Sequence, residues 1–489
     1  GHIVHDGVQQ LLDTLVAVGS AADHGDHLVG DGGGPDGLAD ALLRDLLALE
    51  IVLHDGLVEH GDGVQQLLAI LAATIAVPSI VGNDMSQSAA LFGAGVGTIV
   101  YLLFTGFKSP VFLGSSFAFL GSMSAAFAGA ATLNAGYTGL LIGAVMAGLV
   151  YVVIAPIVKF AGVKWISKLM PPVVIGPTVA IIGLSLAGNA IGDLTKGSVL
   201  DESFAPVANP HLALICGLVT LLVVIICSVF GKKMAKLIPF IIGIVAGYAV
   251  ATVFTLIGNA TGNEAFMIID FAKFQNMQWL PDFTFLEAFK GLKDINGAYI
   301  ATIAVAYIPV AFVVFAEHIA DHKNLSSIID HDLLEDPGLH RTLLGDGVGS
   351  IAGAFFGGCP NTTYGESVGC VAITGNASVL TILATAILAI VASFFAPFVT
   401  FLATIPSCVM GGVCMTLYGF IAVSGLKMIQ NVDLGENKNL FVVAVILIAG
   451  VGGMTLTFGK ITITSIACAL ILGIIVNVLV SSHKDESAK

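Results

Sequence analysis

Three acidic residues lie inside or beside long apolar stretches of the sequence, where water cannot easily solvate a charge. Glu317 follows the apolar run 301–316, and Asp321 comes four residues later, on the same face of a helix. Glu366 precedes the apolar run 368–373. Carboxylates in such places are typically functional: they exchange protons, and they accept hydrogen bonds from the N–H groups of a neutral planar ligand. The competing interpretation is that the helix has already left the apolar layer and that Glu317 and Asp321 are solvated loop acids.

Histidine and aromatic residues accompany these acids. His318 and His322 point to other faces of the helix that carries Glu317, and we expect them to be interface residues. Phe117 and Tyr364 offer flat faces against which a ring can stack, although packing also explains each aromatic residue taken alone.

Other kinds of chemistry find no support in the sequence. The seven cysteines show no metal-ligand spacing, and we interpret them as small buried hydrophobic residues. We find no nucleophile–base pair and no nucleotide-binding loop. The sequence therefore predicts no metal site, no cofactor and no enzymatic activity.

The composition is that of a protein in contact with lipid. Hydrophobic residues make up 56% of the 489 residues and charged residues 11%, with a mean hydropathy of +0.96. Soluble domains carry about 25% charged residues. Because the excess apolar surface must face lipid, we predict an all-α polytopic membrane protein. The net charge of −14 lies mostly in residues 1–62, which hold twelve acids and one base, so the nearly neutral remainder predicts no nucleic-acid partner.

Residues 1–62 differ from the rest of the chain. They lack Lys, Asn, Cys, Met and every aromatic residue, and they hold six of the twelve histidines. These histidines and acids follow no metal-ligand pattern. We interpret this atypical acidic segment as sequence from outside the native reading frame, and a disordered acidic tail is the alternative.

From Val64 onward, apolar runs recur at lengths that suit a bilayer. Three of the runs (110–131, 343–358 and 359–374) are shorter or are interrupted by Gly or Pro. Seven runs precede the loop 259–296 and seven follow it, so the second half enters the membrane from the opposite side, which predicts an inverted repeat. We predict fourteen segments in all, at 64–82, 87–106, 110–131, 136–158, 169–190, 209–230, 237–258, 297–320, 343–358, 359–374, 377–404, 408–428, 438–457 and 462–481.

The third segment of each half is the irregular one. Paired broken segments at matching positions are a sequence indication of a transporter binding site, because irregular backbone at membrane depth is tolerated where it lines a cavity. Simple Gly/Pro kinks are the alternative. The loops on one side of the fourteen segments are rich in basic residues, which predicts that both termini are cytoplasmic. These residues are Lys159, Lys164, Lys168, Lys232, Lys233, Lys236, Lys323, Arg341, Lys427, Lys438, Lys484 and Lys489.

Several short motifs resemble those of the bacterial uracil permeases of the nucleobase–ascorbate transporter family. The stretch 315–322, Phe-Ala-Glu-His-Ile-Ala-Asp-His, resembles the acid motif of that family. The stretch 360–366, Pro-Asn-Thr-Thr-Tyr-Gly-Glu, resembles its substrate signature. Further matches are Asp-Pro-Gly-Leu-His-Arg at 336–341, Leu-Gly-Ser-Ser-Phe-Ala-Phe at 113–119, and Met-Gly-Gly-Val at 410–413 with Leu-Tyr-Gly at 417–419. The resemblance covers about 64–481.

The resemblance implies an architecture of two domains. A core domain would comprise residues 63–158 and 297–404, and a gate domain would comprise 159–258 and 405–481. A cytoplasmic tail, 482–489, would follow. The broken segments three and ten would contain short antiparallel strands that meet at the site.

The resemblance also implies roles for individual residues. Glu317 and Glu366 would hydrogen-bond the N–H groups and neighbouring edge of a pyrimidine. Phe117 and Gly365 would contribute backbone amides, and Tyr364 a ring contact. The gate would close over the ligand with Tyr418.

Two residues depart from the family pattern. Some relatives carry His at the position of Asp321, and that His is linked to proton coupling, so Glu317 and Asp321 are expected to couple protons here. Many relatives carry Asn where this chain has Ser367, which leaves purines open beside pyrimidines.

The function that this resemblance implies is proton-coupled uracil import by alternating access, in the bacterial inner membrane. A xanthine or urate permease of the same family is the alternative. An anion carrier of the same architecture is a further alternative, although two site acids would repel an anion. Homodimerisation is common in the family, so the expected partners are a nucleobase, protons, the lipid bilayer and a second copy of the chain.

Overall fold

The computed structural model of the protein describes residues 62–162, 165, 170–458 and 461–482. Residues 1–61, with almost all of the unusual acidic segment, lie outside the described residues, as do Lys164, Lys168 and the tail 483–489.

The described chain folds into helices joined by short loops. Before residue 262 it forms α1 (Asp62–Val81), α2 (Gln87–Thr105), β1 (Leu113–Ser115), a 3₁₀ turn (Phe117–Phe119), α3 (Leu120–Ala128), α4 (Leu133–Ala161), α5 (Pro172–Ser185), α6 (Ala187–Asp193), α7 (Pro210–Phe230), α8 (Met234–Leu237) and α9 (Pro239–Thr261). A loop with the helix α10 (Thr284–Gly291) follows. The remainder forms α11 (Gly297–Ile329), α12 (Leu339–Gly357), β2 (Asn361–Thr363), α13 (Gly365–Thr374), α14 (Val379–Ser393), α15 (Ala396–Thr404), α16 (Ser407–Met428), α17 (Asn437–Val451), β3 (Leu456–Phe458), β4 (Ile461–Ile463) and α18 (Ser465–Ser482).

Many of these helices are long and apolar enough to cross a bilayer. In the described part of the chain eight helices meet that requirement, and α14 with α15, which meet at an angle of 84°, make a ninth span if the pair is counted as one. Shorter apolar helices lie at Phe117–Ala128, Asn437–Val451 and Ser465–Ser481. The protein is thus mostly helical and has several membrane spans, as the composition predicts.

The two broken segments have local causes in the sequence. Helix α12 ends at Gly358, whose φ of +74° lies in the left-handed region that glycine adopts without a steric penalty. Pro360 follows and cannot continue a helix, so the chain enters β2 in an extended conformation. In the first half, Pro110 stands before β1 in a similar way.

The strands β1 and β2 pair with each other although about 250 residues separate them. They run antiparallel, with Leu113 opposite Thr363 and Ser115 opposite Asn361. The Ser116 amide extends the pairing by donating to the Pro360 carbonyl over 2.9 Å. All six strand residues are buried, which is compatible with membrane depth because the pairing and neighbouring side chains satisfy the backbone.

Close helix packing surrounds this strand pair. Helix α12 contacts α2 and α4, and α2 also contacts α14. A Cβ atom on Gly97 of α2 would lie 2.7 Å from the Gly349 carbonyl of α12 and 2.7 Å from Nδ2 of Asn361. Glycine at position 97 therefore lets α2 and α12 approach and leaves room for β2 between them.

A second set of helices packs together, and its outer face is apolar. Helix α16 contacts α5 and α7, while α5 also contacts α17 and α18. Within the apolar window of α7 only 28% of the residues are buried, against 72% for α1. Side chains such as Leu222, Val229 and Phe230 are largely exposed. An apolar exposed face of this extent requires a lipid environment.

Candidate functional site

The strand pair brings the starts of two helices together. β1 leads into the 3₁₀ turn that begins at Phe117, and β2 leads into α13, which begins at Gly365. The first N–H groups of a helix have no acceptor within it. The predicted amide donors are those of Phe117 and Gly365, and each lies at the start of a helix that directly follows one of the two paired strands. A polar ligand can accept hydrogen bonds from amides in this position.

A small cavity lies at these helix starts, closed on one side by α11 and on the other by α5 and α16. Its volume is about 60 Å³. The cavity is lined by Ser116, Phe117, Ala118, Ile182, Glu317, Thr362, Thr363, Tyr364, Gly365, Glu366, Leu417 and Ile421.

A larger cavity of about 410 Å³ shares Glu317, Gly365 and Glu366 with the first. It adds Asp321 to the wall and extends to Lys236, in the short helix α8 between α7 and α9. Because the two cavities share lining residues, they adjoin each other, and the larger one extends toward the basic segment 231–238.

The three predicted acids differ in their hydrogen bonds. All three are partly buried. Asp321 accepts a hydrogen bond from Oγ1 of Thr363 over 3.0 Å. Among the described residues, no side chain donates to the carboxylates of Glu317 or Glu366. Those two groups are therefore available to donors on a ligand.

The predicted aromatic residues occupy two different places. Tyr364 lines the small cavity, and its hydroxyl donates to the Ser115 carbonyl over 2.7 Å, which fixes the ring across the strand pair. Tyr418 is buried beside the cavity and does not line it, and its ring packs edge-on against Phe117 with 6.0 Å between ring centres. Helix α16 reaches the cavity instead through Leu417 and Ile421.

A chain of buried polar groups lies behind the acids of α11. His318 and Asp346 are fully buried, and Nδ1 of His318 lies 2.7 Å from Oδ2 of Asp346. Nε2 of His318 lies 3.0 Å from the hydroxyl of Thr342. Both partners belong to α12, so these contacts fix one face of α11 against α12. The other carboxylate oxygen of Asp346, Oδ1, has no hydrogen-bond partner among the described residues.

His322 continues this chain toward α2. Its ring lies 4.0 Å from the ring of His318, and its Nδ1 is 2.8 Å from the His318 carbonyl. Its Nε2 is 2.7 Å from the Tyr101 hydroxyl, which donates to Ser109 over 2.7 Å. Both histidines thus point away from the cavity, as predicted, and lie at the packing interface between α2, α11 and α12.

Comparison with known proteins decides the family. The sequence matches the profile of a permease family, Xan_ur_permease, over residues 62–459. The chain belongs to this permease family. Members of such a family are transporters and not enzymes, so this permease is a membrane transporter.

The predicted resemblance to uracil permeases is confirmed. The permease is 39% identical to the uracil permease of Bacillus caldolyticus over 430 residues, which cover 87% of this chain and 92% of that protein. It is 37% identical to the uracil permease of Bacillus subtilis (strain 168) over 429 residues, which cover 87% and 93%.

Solved structures of more distant transporters share the fold. The transmembrane domain of a cyanobacterial bicarbonate transporter, BicA, aligns with a TM-score of 0.57 and 16% identity over 86% of the permease and 96% of that chain. The murine anion transporter Slc26a9, in its inward-facing state, aligns with a TM-score of 0.62 and 12% identity over 94% and 74%. At these identities the likeness concerns the fold alone.

Two residues near the site, Asp346 and Gln66, were not among the site residues predicted from the sequence. Asp346 of the permease carries the same signal as Glu317, an acid inside a predicted apolar segment, and the sequence would have allowed its selection. Gln66 gives no such signal. Its Nε2 donates to Oγ of Ser367 over 2.5 Å, and the same oxygen accepts from the Phe112 amide over 3.1 Å. Ser367 is fully buried in these contacts and does not line the cavity.

Proposed function

We propose that this permease imports uracil together with protons by alternating access. The observation that carries the proposal is the placement of Glu317 and Glu366 on one small cavity, at the point where both broken segments restart as helices. The relatives named as uracil permeases support the choice of substrate.

The cavity offers complementary groups to a pyrimidine. Uracil presents ring N–H donors and carbonyl acceptors around a flat ring. Glu317 and Glu366 accept from the N–H groups, and the amides of Phe117 and Gly365 donate to the carbonyls. Tyr364 packs against the ring, and Tyr418 approaches from α16 when the site closes.

Proton coupling rests on the acids of α11 in this proposal. Glu317 lines the small cavity, and Asp321 lies one turn away on the wall of the larger one. A proton on Glu317 adds an O–H donor to a group that otherwise only accepts, and it removes a charge from an apolar setting, so substrate and proton occupancy are linked. Asp321, held by Thr363, exchanges the proton with the larger cavity.

Alternating access requires two bodies that move past each other. We infer fourteen segments in two inverted repeats of seven, with a core domain of residues 63–158 and 297–404 and a gate domain of 159–258 and 405–481. The packing of α2, α4, α12 and α14 on one side and of α5, α7, α16, α17 and α18 on the other supports this division. The cavity of about 60 Å³ then widens as the gate moves to admit the ring.

The basic loops set the orientation in this proposal. Both termini are cytoplasmic, and the larger cavity, which reaches Lys236, opens toward the cytoplasm. The membrane is the bacterial inner membrane, and a homodimer is the proposed assembly.

Two competing cargoes are tested alongside uracil. Xanthine or urate is the first, because Ser367 replaces the Asn of many relatives. The buried position of Ser367, bonded to Gln66 and the Phe112 amide, favours a supporting role over contact with the ligand. An anion is the second, because the structural neighbours include anion transporters, but two carboxylates on the cavity disfavour it.

The test is uptake of radiolabelled uracil into proteoliposomes that contain the full chain, with and without an inward proton gradient. We expect gradient-driven uptake that is lost in Glu317→Gln and in Glu366→Gln. Glu202→Gln, in an exposed loop, is the matched control and should transport normally. Uracil uptake at the same rate with and without the proton gradient would show that transport is not coupled to protons. A folded protein that transports xanthine or sulfate but not uracil would show that uracil is not the substrate.

A further inference from the structure

A cavity separate from the transport site lies where the ends of α4 and α11 meet the start of α12. Its volume is about 400 Å³. Helix α11 contributes to both places, since Glu317 and Asp321 face the transport site while Ile319 and Lys323 face this cavity. The cavity is lined by Val158, Lys159, Gly162, Ile319, Lys323, Leu334, Glu335, Gly338, Leu339 and His340.

The charged groups of this cavity are mainly cationic. Lys159 and Lys323 are exposed, and neither forms an ion pair within 4.0 Å among the described residues. Glu335 is the one acid on the lining. A further nearby acid, Asp336, is already bound by Lys108 over 2.6 Å. The cavity lining thus carries two lysines and one acid.

The side chain of His340 lies in the positive electrostatic field of nearby basic residues. It stands before the apolar part of α12, on the cavity wall. Partial burial lowers the pKa of His340, and the charges of Lys159 and Arg341 lower it further. The ring therefore offers a neutral hydrogen-bonding group beside the two lysines.

The start of α12 adds backbone donors to this set. The helix has 19 residues and begins at Leu339, directly after Gly338. No side chain caps its first turn. The first N–H of the helix, that of Leu339, donates to the Leu334 carbonyl. The N–H groups that follow it and the positive end of the helix dipole favour an anion at this position.

Apolar side chains form the remaining walls and continue outward to the protein surface. Val158, Ile319 and Leu334 line the cavity, and Phe160 beside it is 85% exposed. A large exposed aromatic residue next to exposed lysines is typical of the interface between hydrocarbon and headgroups. The combination suits a phosphate group held at the membrane surface.

We propose that this cavity binds a phosphate group through Lys159, Lys323 and the start of α12. The group belongs either to the headgroup of an anionic phospholipid or to a soluble phosphate compound, since the same donors bind both. Its binding joins α4, α11 and α12 and thereby stabilises the helix that carries Glu317 and Asp321.

The test measures the thermal unfolding midpoint of the purified full chain in detergent. Phosphatidylglycerol, phosphatidylcholine and inorganic phosphate are titrated separately at constant ionic strength. We expect a ligand that binds the folded state to raise the midpoint with concentration. A rise with phosphatidylglycerol alone assigns a lipid headgroup, and a rise with inorganic phosphate assigns a soluble compound.

Variants connect any such rise to the cavity. In Lys159→Gln/Lys323→Gln the apparent affinity should fall by about tenfold or more, because two charge-assisted contacts are lost. The control Lys232→Gln/Lys293→Gln removes the same charge from two exposed lysines outside the cavity and should bind as the parent does. Glu335→Gln, which keeps both lysines, should bind more tightly, and this result remains informative where the double variant does not fold.

Two results would overturn the proposal. The first is a midpoint that neither phosphatidylglycerol nor phosphate raises beyond the effect of phosphatidylcholine. The second is an equal rise in the parent and in the folded Lys159→Gln/Lys323→Gln variant. Neither result depends on the transported substrate, so this test is independent of the proposed function.

Discussion

The hydroxyl of Tyr364 donates to the main-chain carbonyl of Ser115 over 2.7 Å and so ties the second broken segment to the first. The same ring lies directly over Gly114, where a side chain would occupy its space. Tyr364 is thus held from two directions, by a hydrogen bond at its end and by a glycine beneath its face. This arrangement keeps the strand pair and the helix starts in register at the cavity.

Gly114→Ala should therefore destabilise the protein and impair uptake. The added methyl group overlaps the Tyr364 ring, and the ring cannot move without breaking its bond to Ser115. We expect a loss of about 1–3 kcal/mol in the free energy of unfolding, as for other overpacked sites. Gly419→Ala is the matched control, because no atom lies within 4 Å of its new methyl group. Equal effects of the two substitutions on the unfolding midpoint would contradict this account.

Asp346→Asn should weaken the attachment of α11 to α12. The substitution replaces the carboxyl group that contacts the fully buried His318 by an amide of similar shape. If the amide oxygen keeps the contact with His318, the NH2 group takes the place of Oδ1, which has no hydrogen-bond partner among the described residues. We expect destabilisation by about 1–3 kcal/mol, measured by denaturant or thermal unfolding, because a buried donor is then left unsatisfied. Asp433→Asn, in an exposed loop, provides the comparison. An unchanged midpoint in Asp346→Asn would show that this contact does not hold the two helices together.

Ser367→Ala should reduce stability and leave substrate choice unchanged. The hydroxyl accepts from both Gln66 and the Phe112 amide, so its removal leaves two buried donors without this acceptor. The expected cost is about 1–3 kcal/mol. Competition of uracil uptake by excess xanthine should match that of the parent. A shift toward xanthine would place Ser367 in contact with the ligand.

The contact between Lys108 and Asp336 should make a small, pH-dependent contribution to stability. The hydrogen bond from Lys108 over 2.6 Å lowers the pKa of Asp336, and the positive charges nearby lower it further. A carboxyl with a lowered pKa in the folded state stabilises that state above its ordinary pKa of about 3.9, and the contribution is lost as the pH falls through the lowered value.

Asp336→Asn should accordingly lower the unfolding midpoint at pH 6 to 8 and have less effect as the pH drops below about 3.9. High salt should reduce the difference at neutral pH, because the pair is exposed. Glu202→Gln serves as the control, since that acid forms no ion pair among the described residues. A midpoint difference that stays constant from pH 7 to pH 3 would contradict the assignment.

The sequence by itself determined the lipid environment, most of the apolar spans and the positions of the two chain breaks. Those features are local. A run of about twenty apolar residues is long enough to span a bilayer, and Gly358 followed by Pro360 ends a helix, whatever the rest of the fold is. The acids Glu317 and Glu366 were visible for the same reason, as single charges next to apolar runs. Asp346 was equally visible, but its pairing with His318 was not.

Only the tertiary structure decided which of these groups meet. The pairing of Leu113 with Thr363, the bond between Tyr101 and His322, and the common cavity of Glu317 and Glu366 all join residues far apart in the chain. It also placed Tyr418 beside the cavity and not on its wall. Such contacts depend on helix rotation and close packing through small residues such as Gly97, and no run of neighbouring residues encodes them.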